Sequence, residues 1–319
     1  MDRFDFSGMD IFWEIFDLLQ ADREPAEELW DRLFATPGYA VLVKSEFTRD
    51  FFISRFRLAF KPSLAEELEK ELGQDKHGFL SHYLKVRENP GAIKRQQQLL
   101  ASGDYHHQVM DRCLEWLPLK EVDEYPPVSF VIFQNDARGY SPVVVDVLAA
   151  IELGEFIPLF LAHEFHHWYR NKLLAVDWSL LPEEYNDLVW VLDQLHAEGI
   201  ADHIDKAALM AADHPFARGF DQAVEKAPEY IEFMDTVLGE LTGGERQTAE
   251  AGRELRNKLP QAGHPVGYYM AREIIKRKGR KALIATVPDT FSFFRQWDGF
   301  SSATREWLDG LQAIAQSKD

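Results

Sequence analysis

Apolar side chains recur at helical spacing along most of the chain, as in the run Ile11–Leu19, and clusters of Pro and Gly separate such runs. Two runs differ from this pattern. Val128–Phe133 and Pro142–Val147 are short and rich in β-branched residues, and the turn-like segment Asn135–Gly139 lies between them. The pattern therefore predicts helices over residues 1–125, a small mixed or antiparallel sheet at 128–147, and helices again to the end of the chain.

Two long helical runs follow the predicted sheet. The first extends from about Glu155 to Leu174 and the second from about Glu183 to Met210, with Pro182 suited to the start of the second helix. The predicted fold class is α+β and predominantly helical. We divide it into a helical N-terminal lobe, residues 1–125, and a region 126–319 that contains the sheet, the two long helices and a helical C-terminal lobe, residues 211–319.

The first long helix contains the motif His-Glu-x-x-His at His163–His167. His163 and His167 are four residues apart, so their rings project from one face of the helix and can both bind one metal ion. Glu164 is rotated by about 100° from that face, which suits a base acting on a metal-bound water, as in zinc peptidases with this motif. The alternative is a pair of buried histidines that are hydrogen-bonded to protein groups.

The second long helix places two carboxylates on its apolar face. Glu198 and Asp202 continue the stripe formed by Leu188, Val191 and Leu195, and an unpaired charge on a buried face is costly. A metal ion would account for both carboxylates: Glu198 would be its third protein ligand, and Asp202 would accept a hydrogen bond from a ligand histidine. The alternative is a partly solvated helix edge.

The two motifs together resemble a known group of enzymes. HEFHH at His163–His167 and EGIAD at Glu198–Asp202 are similar to the motifs of thermolysin-like zinc peptidases with a glutamate ligand, the gluzincins. The chain most resembles bacterial families of zinc-dependent proteases whose second motif is E-G-[IL]-A-[DE], and the similarity covers about residues 128–275. The interval between the two motifs is longer than in thermolysin, and the loop Asp177–Leu181 can absorb the difference.

The resemblance implies a zincin-like core with Zn²⁺ held by His163, His167 and Glu198, and with Glu164 as the general base. It also implies that an edge strand pairs with the extended substrate, for which Pro142–Val147 is the candidate here.

A donor that meets the charge developing on the substrate is also expected in such a site. The glycine-flanked segment Gly263–Met270 is the best source, because it leads into a helix and contains one imidazole and two phenols. Tyr268 is the first candidate, His264 the second, and Tyr269 remains open. Ordinary packing of aromatic residues at a helix start is the alternative for the tyrosines.

Other metal schemes fit the sequence less well. A metzincin needs Gly at position 170 and His at position 173, where Arg170 and Leu173 stand, and a di-iron bundle needs a second Glu-x-x-His motif. His166, His196 and His203 lie off the two ligand stripes, and we interpret them as surface or packing histidines.

Composition and charge narrow the range of partners. The net charge of −18 disfavours nucleic acid and membrane surfaces, and a single cysteine, Cys113, excludes an internal disulfide and a thiolate zinc cluster. The acidic N-terminus lacks the features of a signal peptide, and no apolar run approaches 18 residues, so a cytoplasmic location is predicted.

The sequence therefore predicts a zinc metallopeptidase that hydrolyses peptide or protein substrates with a zinc-activated water and Glu164 as base. The alternative is a catalytically silent, zinc-stabilised protein that binds peptides or regulates a partner.

Overall fold

The computed structural model of the chain describes residues 4–76, 78–103 and 105–316. The chain is predominantly helical with a small mixed sheet, which confirms the predicted α+β class. The chain divides into two compact units. The first unit consists of Met1–His107 and Asp123–Pro158, and the second of Gln108–Val122 and Leu159–Asp319. These units are defined by packing, so the functional division into residues 1–125 and 126–319 stays a prediction.

The first unit combines short helices with the sheet. Its core is rich in aromatic side chains. Phe12, Phe56, Phe60 and Tyr83 are fully buried, and each ring contacts at least two of the others in edge-on or tilted geometry. Its helices are α1 (Ser7–Gln20), α2 (Glu27–Ala35), α3 (Pro37–Ser45), α4 (Arg49–Phe60), α5 (Ala65–Leu72), α6 (Phe79–Glu88) and α7 (Pro90–Ser102), followed by α8 (His106–Leu114), which runs into the second unit, and by α9 (Val147–Leu153) after the sheet.

The sheet has the order β1-β2-β4-β3, with strands β1 (Phe4–Asp5), β2 (Val128–Val131), β3 (Ala137–Arg138) and β4 (Val143–Asp146). Strands β1 and β2 are parallel, as are β2 and β4, whereas β3 and β4 are antiparallel. The predicted strands at 128–133 and 142–147 are present as β2 and β4. The expectation that Pro142–Val147 is an edge strand was wrong, because β4 is buried and hydrogen-bonded to a strand on each side.

Helices form the second unit. They are α10 (Ile157–Leu173), α11 (Asn186–Ala211), α12 (Phe220–Glu225), α13 (Ala227–Thr242), α14 (Thr248–Lys258), α15 (His264–Lys278), α16 (Arg280–Ile284), α17 (Thr290–Gln296) and α18 (Ser302–Ala315). Helices α10 and α11 are the two long helices expected from the sequence. A 3₁₀ turn, Glu183–Tyr185, separates Pro182 from the start of α11. No helix in the described ranges has the length and apolar character needed to cross a bilayer.

Helices α11 and α15 cross with their backbones in contact at two glycines. A Cβ placed on Gly199 would lie 2.7 Å from the carbonyl oxygen of Gly267, so a side chain at this point would force the helices apart. The chain enters α15 through Gly263, whose φ of 94° suits glycine. This close crossing brings the first residue of α15, His264, next to the carboxylates of α11.

Candidate metal centre

Three side chains of the second unit converge on one point. The Nε2 atoms of His163 and His167 lie 3.0 Å apart, and Oε2 of Glu198 lies 3.2 Å from each of them. His163 and His167 come from α10 and Glu198 from α11. The structure thus brings together, as a triangle of donor atoms, the three residues that the sequence nominated as ligands.

The triangle has the dimensions and chemistry of a zinc site. A tetrahedral zinc ion with bonds of about 2.0–2.2 Å holds its ligand atoms about 3.3–3.6 Å apart, which these atoms reach by moving a few tenths of an ångström. The buried Oε2 of Glu198 has no well-formed hydrogen bond among the described residues, although two imidazole nitrogens are near it. Two imidazoles and one carboxylate are also one of the protein ligand sets that leave the fourth position of zinc open.

A second carboxylate of α11 fixes the ring of His163. Oδ1 of Asp205 lies 3.1 Å from Nδ1 of His163, and Oδ2 accepts a hydrogen bond of 2.9 Å from Nζ of Lys206. A carboxylate only accepts here, so Nδ1 of His163 carries a proton, and Nε2 is the nitrogen that faces the triangle. The sequence analysis assigned this hydrogen bond to Asp202, whose nearest oxygen is 3.9 Å from Nδ1 of His163.

Asp202 contacts His264 instead. The two oxygens of Asp202 lie 3.1 and 3.3 Å from Nδ1 of His264, and the same nitrogen is 3.4 Å from Oε2 of Glu198. Burial alone would lower the pKa of His264, but the charges of Glu198 and Asp202 outweigh it and raise this pKa to about 9. Of the three sequence candidates for a donor, His264 is the one in contact with a residue of the triangle.

The centre is buried and rich in negative charge. Glu198, Asp202 and Asp205 are all buried, and within the described part of the chain Lys206 is the lysine that pairs with Asp202 and Asp205. Burial opposes protonation of His163, yet the charge of and hydrogen bond to Asp205 raise its pKa well above the usual value. Three buried carboxylates in one place favour bound cations, either protons on the imidazoles or a divalent metal ion that replaces them.

Glu164 is 6% exposed and follows His163 directly on α10. It lies off the stripe of His163 and His167, and its role as general base stays a prediction.

The two tyrosine candidates lie in packed surroundings. Tyr268 is buried against Phe220 and Val224, and its ring stacks on His203 with centroids 4.3 Å apart. Burial raises the pKa of Tyr268. Tyr269 packs edge-on against Trp297. The contacts of both rings are those of aromatic packing at a helix start, which was the alternative considered for them.

The remaining histidines of α10 and α11 are packing residues rather than surface ones. His166 and His196 are fully buried, and burial lowers the pKa of each well below the usual value. His203 lies between Tyr268 and Trp116, with its ring stacked on both. Cys113, on α8, is fully buried.

Two contributors to the site were missed from the sequence. Asp205 lies seven residues after Glu198, on the same face of α11, so helical spacing could have identified it. Lys206 lies beside that face. Apart from its being adjacent to Asp205, nothing in the sequence indicates that the two side chains form an ion pair.

Comparison with known proteins agrees with this chemistry. A family model described as "Putative zinc dependent peptidase (DUF5700)" matches residues 30–298, well over half of the chain and including every residue of the centre. No curated protein and no solved structure matches the chain.

Proposed function

The chain belongs to this family of zinc-dependent peptidases, and from that premise we propose that it is a metallopeptidase whose zinc ion is held by His163, His167 and Glu198. The cofactor is zinc, as the family description states. The observation that carries the proposal is the triangle of three donor atoms, with edges of 3.0, 3.2 and 3.2 Å. We also propose that the enzyme is of the gluzincin type, because Glu198 would be the third protein ligand of the zinc ion.

The side chains around the triangle divide the chemistry between them. Zinc bound there supplies a Lewis acid that polarises the scissile carbonyl and lowers the pKa of water. Glu164 accepts the proton of the attacking water and donates it to the leaving amine. Asp205 holds the ring of His163 in the tautomer that presents Nε2. His264, held by Asp202, donates to the oxygen on which negative charge develops.

We expect removal of the His264 imidazole to lower kcat without removing zinc. His264→Ala should reduce kcat by about 10²–10³-fold, the usual cost of losing one donor to the developing oxyanion. Tyr268→Phe is the matched comparison, because it removes the hydroxyl of the first sequence candidate and keeps the packed ring. Steady-state kinetics with a cleaved peptide measure both variants. A larger loss in Tyr268→Phe than in His264→Ala would return the role to the tyrosine.

We expect Asp205 to influence zinc affinity more than Asp202 does. Asp205→Asn should weaken zinc binding by about 10–100-fold, since the hydrogen bond that orients His163 loses its charged acceptor. Asp202→Asn should have a smaller effect, because the hydrogen bonds of Asp202 go to His264. Competition with a chromophoric chelator gives both Kd values. The opposite order would support the sequence-based assignment of Asp202 as the partner of a ligand histidine.

The activity itself is tested by digestion of a diverse peptide library, read by mass spectrometry. We expect the zinc-loaded chain to cleave a subset of peptides, a strong chelator to stop cleavage, and added zinc to restore it. Cleavage that persists in the stripped protein would contradict the proposal, as would failure of the zinc-loaded chain to cleave any peptide. In the second case, measurable binding of intact peptides would favour the catalytically silent alternative.

A further inference from the structure

A buried polar network lies one helical turn beyond the histidine motif. Arg170 on α10 is 1% exposed, although arginine is seldom buried without partners. Its Nη2 atom lies 2.5 Å from Oδ1 of Asp193 and its Nη1 atom 3.3 Å from Oδ2, so the guanidinium and the carboxylate form a fork between α10 and α11. Nη2 also contacts Nδ1 of His196 at 2.9 Å and Oγ1 of Thr290 at 3.2 Å.

The directions of these hydrogen bonds follow from the chemistry of arginine. A guanidinium only donates, so Nδ1 of His196 accepts and the ring proton resides on Nε2. That nitrogen faces the hydroxyl of Thr286 at 3.5 Å, which in turn donates to the carbonyl oxygen of Leu283 at 2.7 Å. The ring of His196 is therefore oriented with its acceptor nitrogen toward Arg170 and its donor nitrogen toward Thr286.

Asp193 accepts hydrogen bonds from two further side chains of the network. Its Oδ1 accepts from the hydroxyl of Thr290 at 3.3 Å and from the indole nitrogen of Trp178 at 3.4 Å. Thr290 is the first residue of α17, and Trp178 lies in the loop between α10 and α11. The network thus ties α10 to α11, to the loop that joins them and to α17, through directional contacts that apolar packing does not provide.

The network is next to the candidate ligands on both helices. Arg170 is three residues after His167, whereas His196 and Asp193 precede Glu198 by two and five residues. The distances of 3.2 Å from Oε2 of Glu198 to the two imidazoles depend on how α10 and α11 are rotated and shifted against each other. The two-pronged ion pair between Arg170 and Asp193 restricts both the rotation and the shift of α10 against α11, because either motion breaks at least one of its hydrogen bonds.

We infer that Arg170, through its fork with Asp193, is a positioning residue that holds the donor triangle in shape before the metal ion binds. This inference rests on the proposed zinc site. It assigns the buried network a role in metal affinity and coordination geometry that is separate from general stability, and none of its members touches the metal ligands in the contacts described above.

The test uses the whole chain and the Arg170→Lys variant. Lysine keeps the positive charge but lacks the planar fork. We expect its zinc Kd to rise by about 10–100-fold, the usual effect of losing an outer support of a metal ligand, and the d–d absorption of the cobalt-substituted protein to change, because that spectrum reports coordination geometry. Arg256→Lys is the matched control, since Arg256 also pairs with an aspartate of α11, Asp187, but away from the triangle. The control should keep the wild-type Kd and spectrum.

A milder variant covers the possibility that Arg170→Lys does not fold. Thr290→Val removes one acceptor of Arg170 and one donor to Asp193 while keeping the shape of the side chain, and we expect the same direction of change in Kd with a smaller size. Wild-type Kd and cobalt spectra in the folded variants, whatever their thermal stability, would overturn the inference alone. A wild-type chain that binds no zinc would overturn the proposed function and this inference with it.

Discussion

The Glu164→Gln variant is expected to keep its zinc and to lose peptidase activity by about 10²–10⁴-fold, the range that a positioned acid–base group contributes. The amide has nearly the shape of the carboxylate, so packing around this buried side chain is preserved. The amide cannot accept the proton of the attacking water. Zinc should stay bound, because Glu164 contributes no atom to the triangle. The measurement pairs kcat/KM for a cleaved peptide with zinc content per chain.

The control for this variant is Glu155→Gln, which makes the same change at an exposed carboxylate just before α10. It should leave both quantities at wild-type values. Wild-type turnover by Glu164→Gln would contradict the proposed mechanism, because another group would then have to move the proton. Loss of zinc together with activity would instead show that Glu164 supports the metal centre, and the base would have to be sought elsewhere.

The second large effect is expected for Glu198→Ala, in which zinc content should fall from about one ion per chain to a small fraction of one. Two imidazoles would remain, without the anionic ligand that joins α11 to the site. The loss of affinity should exceed the roughly 10–100-fold that follows from losing an outer hydrogen-bond partner. Elemental analysis of protein purified without chelator or metal-affinity tag measures it.

Glu225→Ala is the matched control for the ligand variant, because Glu225 is an exposed glutamate of the same unit, at the end of α12. It should retain about one zinc ion per chain. Full zinc content in Glu198→Ala would remove Glu198 from the ligand set and leave the two histidines to pair with some other group.

The sequence predicted those parts of the site that depend on spacing within one helix. His163 and His167 share a face because of the helical repeat, and Glu198 lies on the buried stripe of α11 for the same reason. Which carboxylate of that stripe reaches His163 was not predictable, because Asp202 and Asp205 are both candidates by spacing. Which of the two carboxylates reaches His163 depends on how α11 crosses α10. In the structure, Asp205 is the residue that accepts the hydrogen bond from His163.

Contacts between residues far apart in the chain could likewise not be predicted from the sequence. The pairing of Arg170 with Asp193 and Thr290 joins residues up to 120 positions apart, and no spacing rule connects them. In the sheet, the β-branched runs marked β2 and β4, but pairing order is a long-range property. The short strands β1 and β3 carried too few residues for a recognisable pattern. They form the two edges of the sheet, and β3 is the strand that covers the outer side of β4.

The most direct test of the zinc site is the anomalous difference density of a crystal of the zinc-loaded chain, measured at the zinc absorption edge. The account predicts one strong peak at about 2.0–2.2 Å from Nε2 of His163, Nε2 of His167 and a carboxylate oxygen of Glu198. A peak bound by other residues, or density at the triangle that does not respond to the zinc edge, would contradict it.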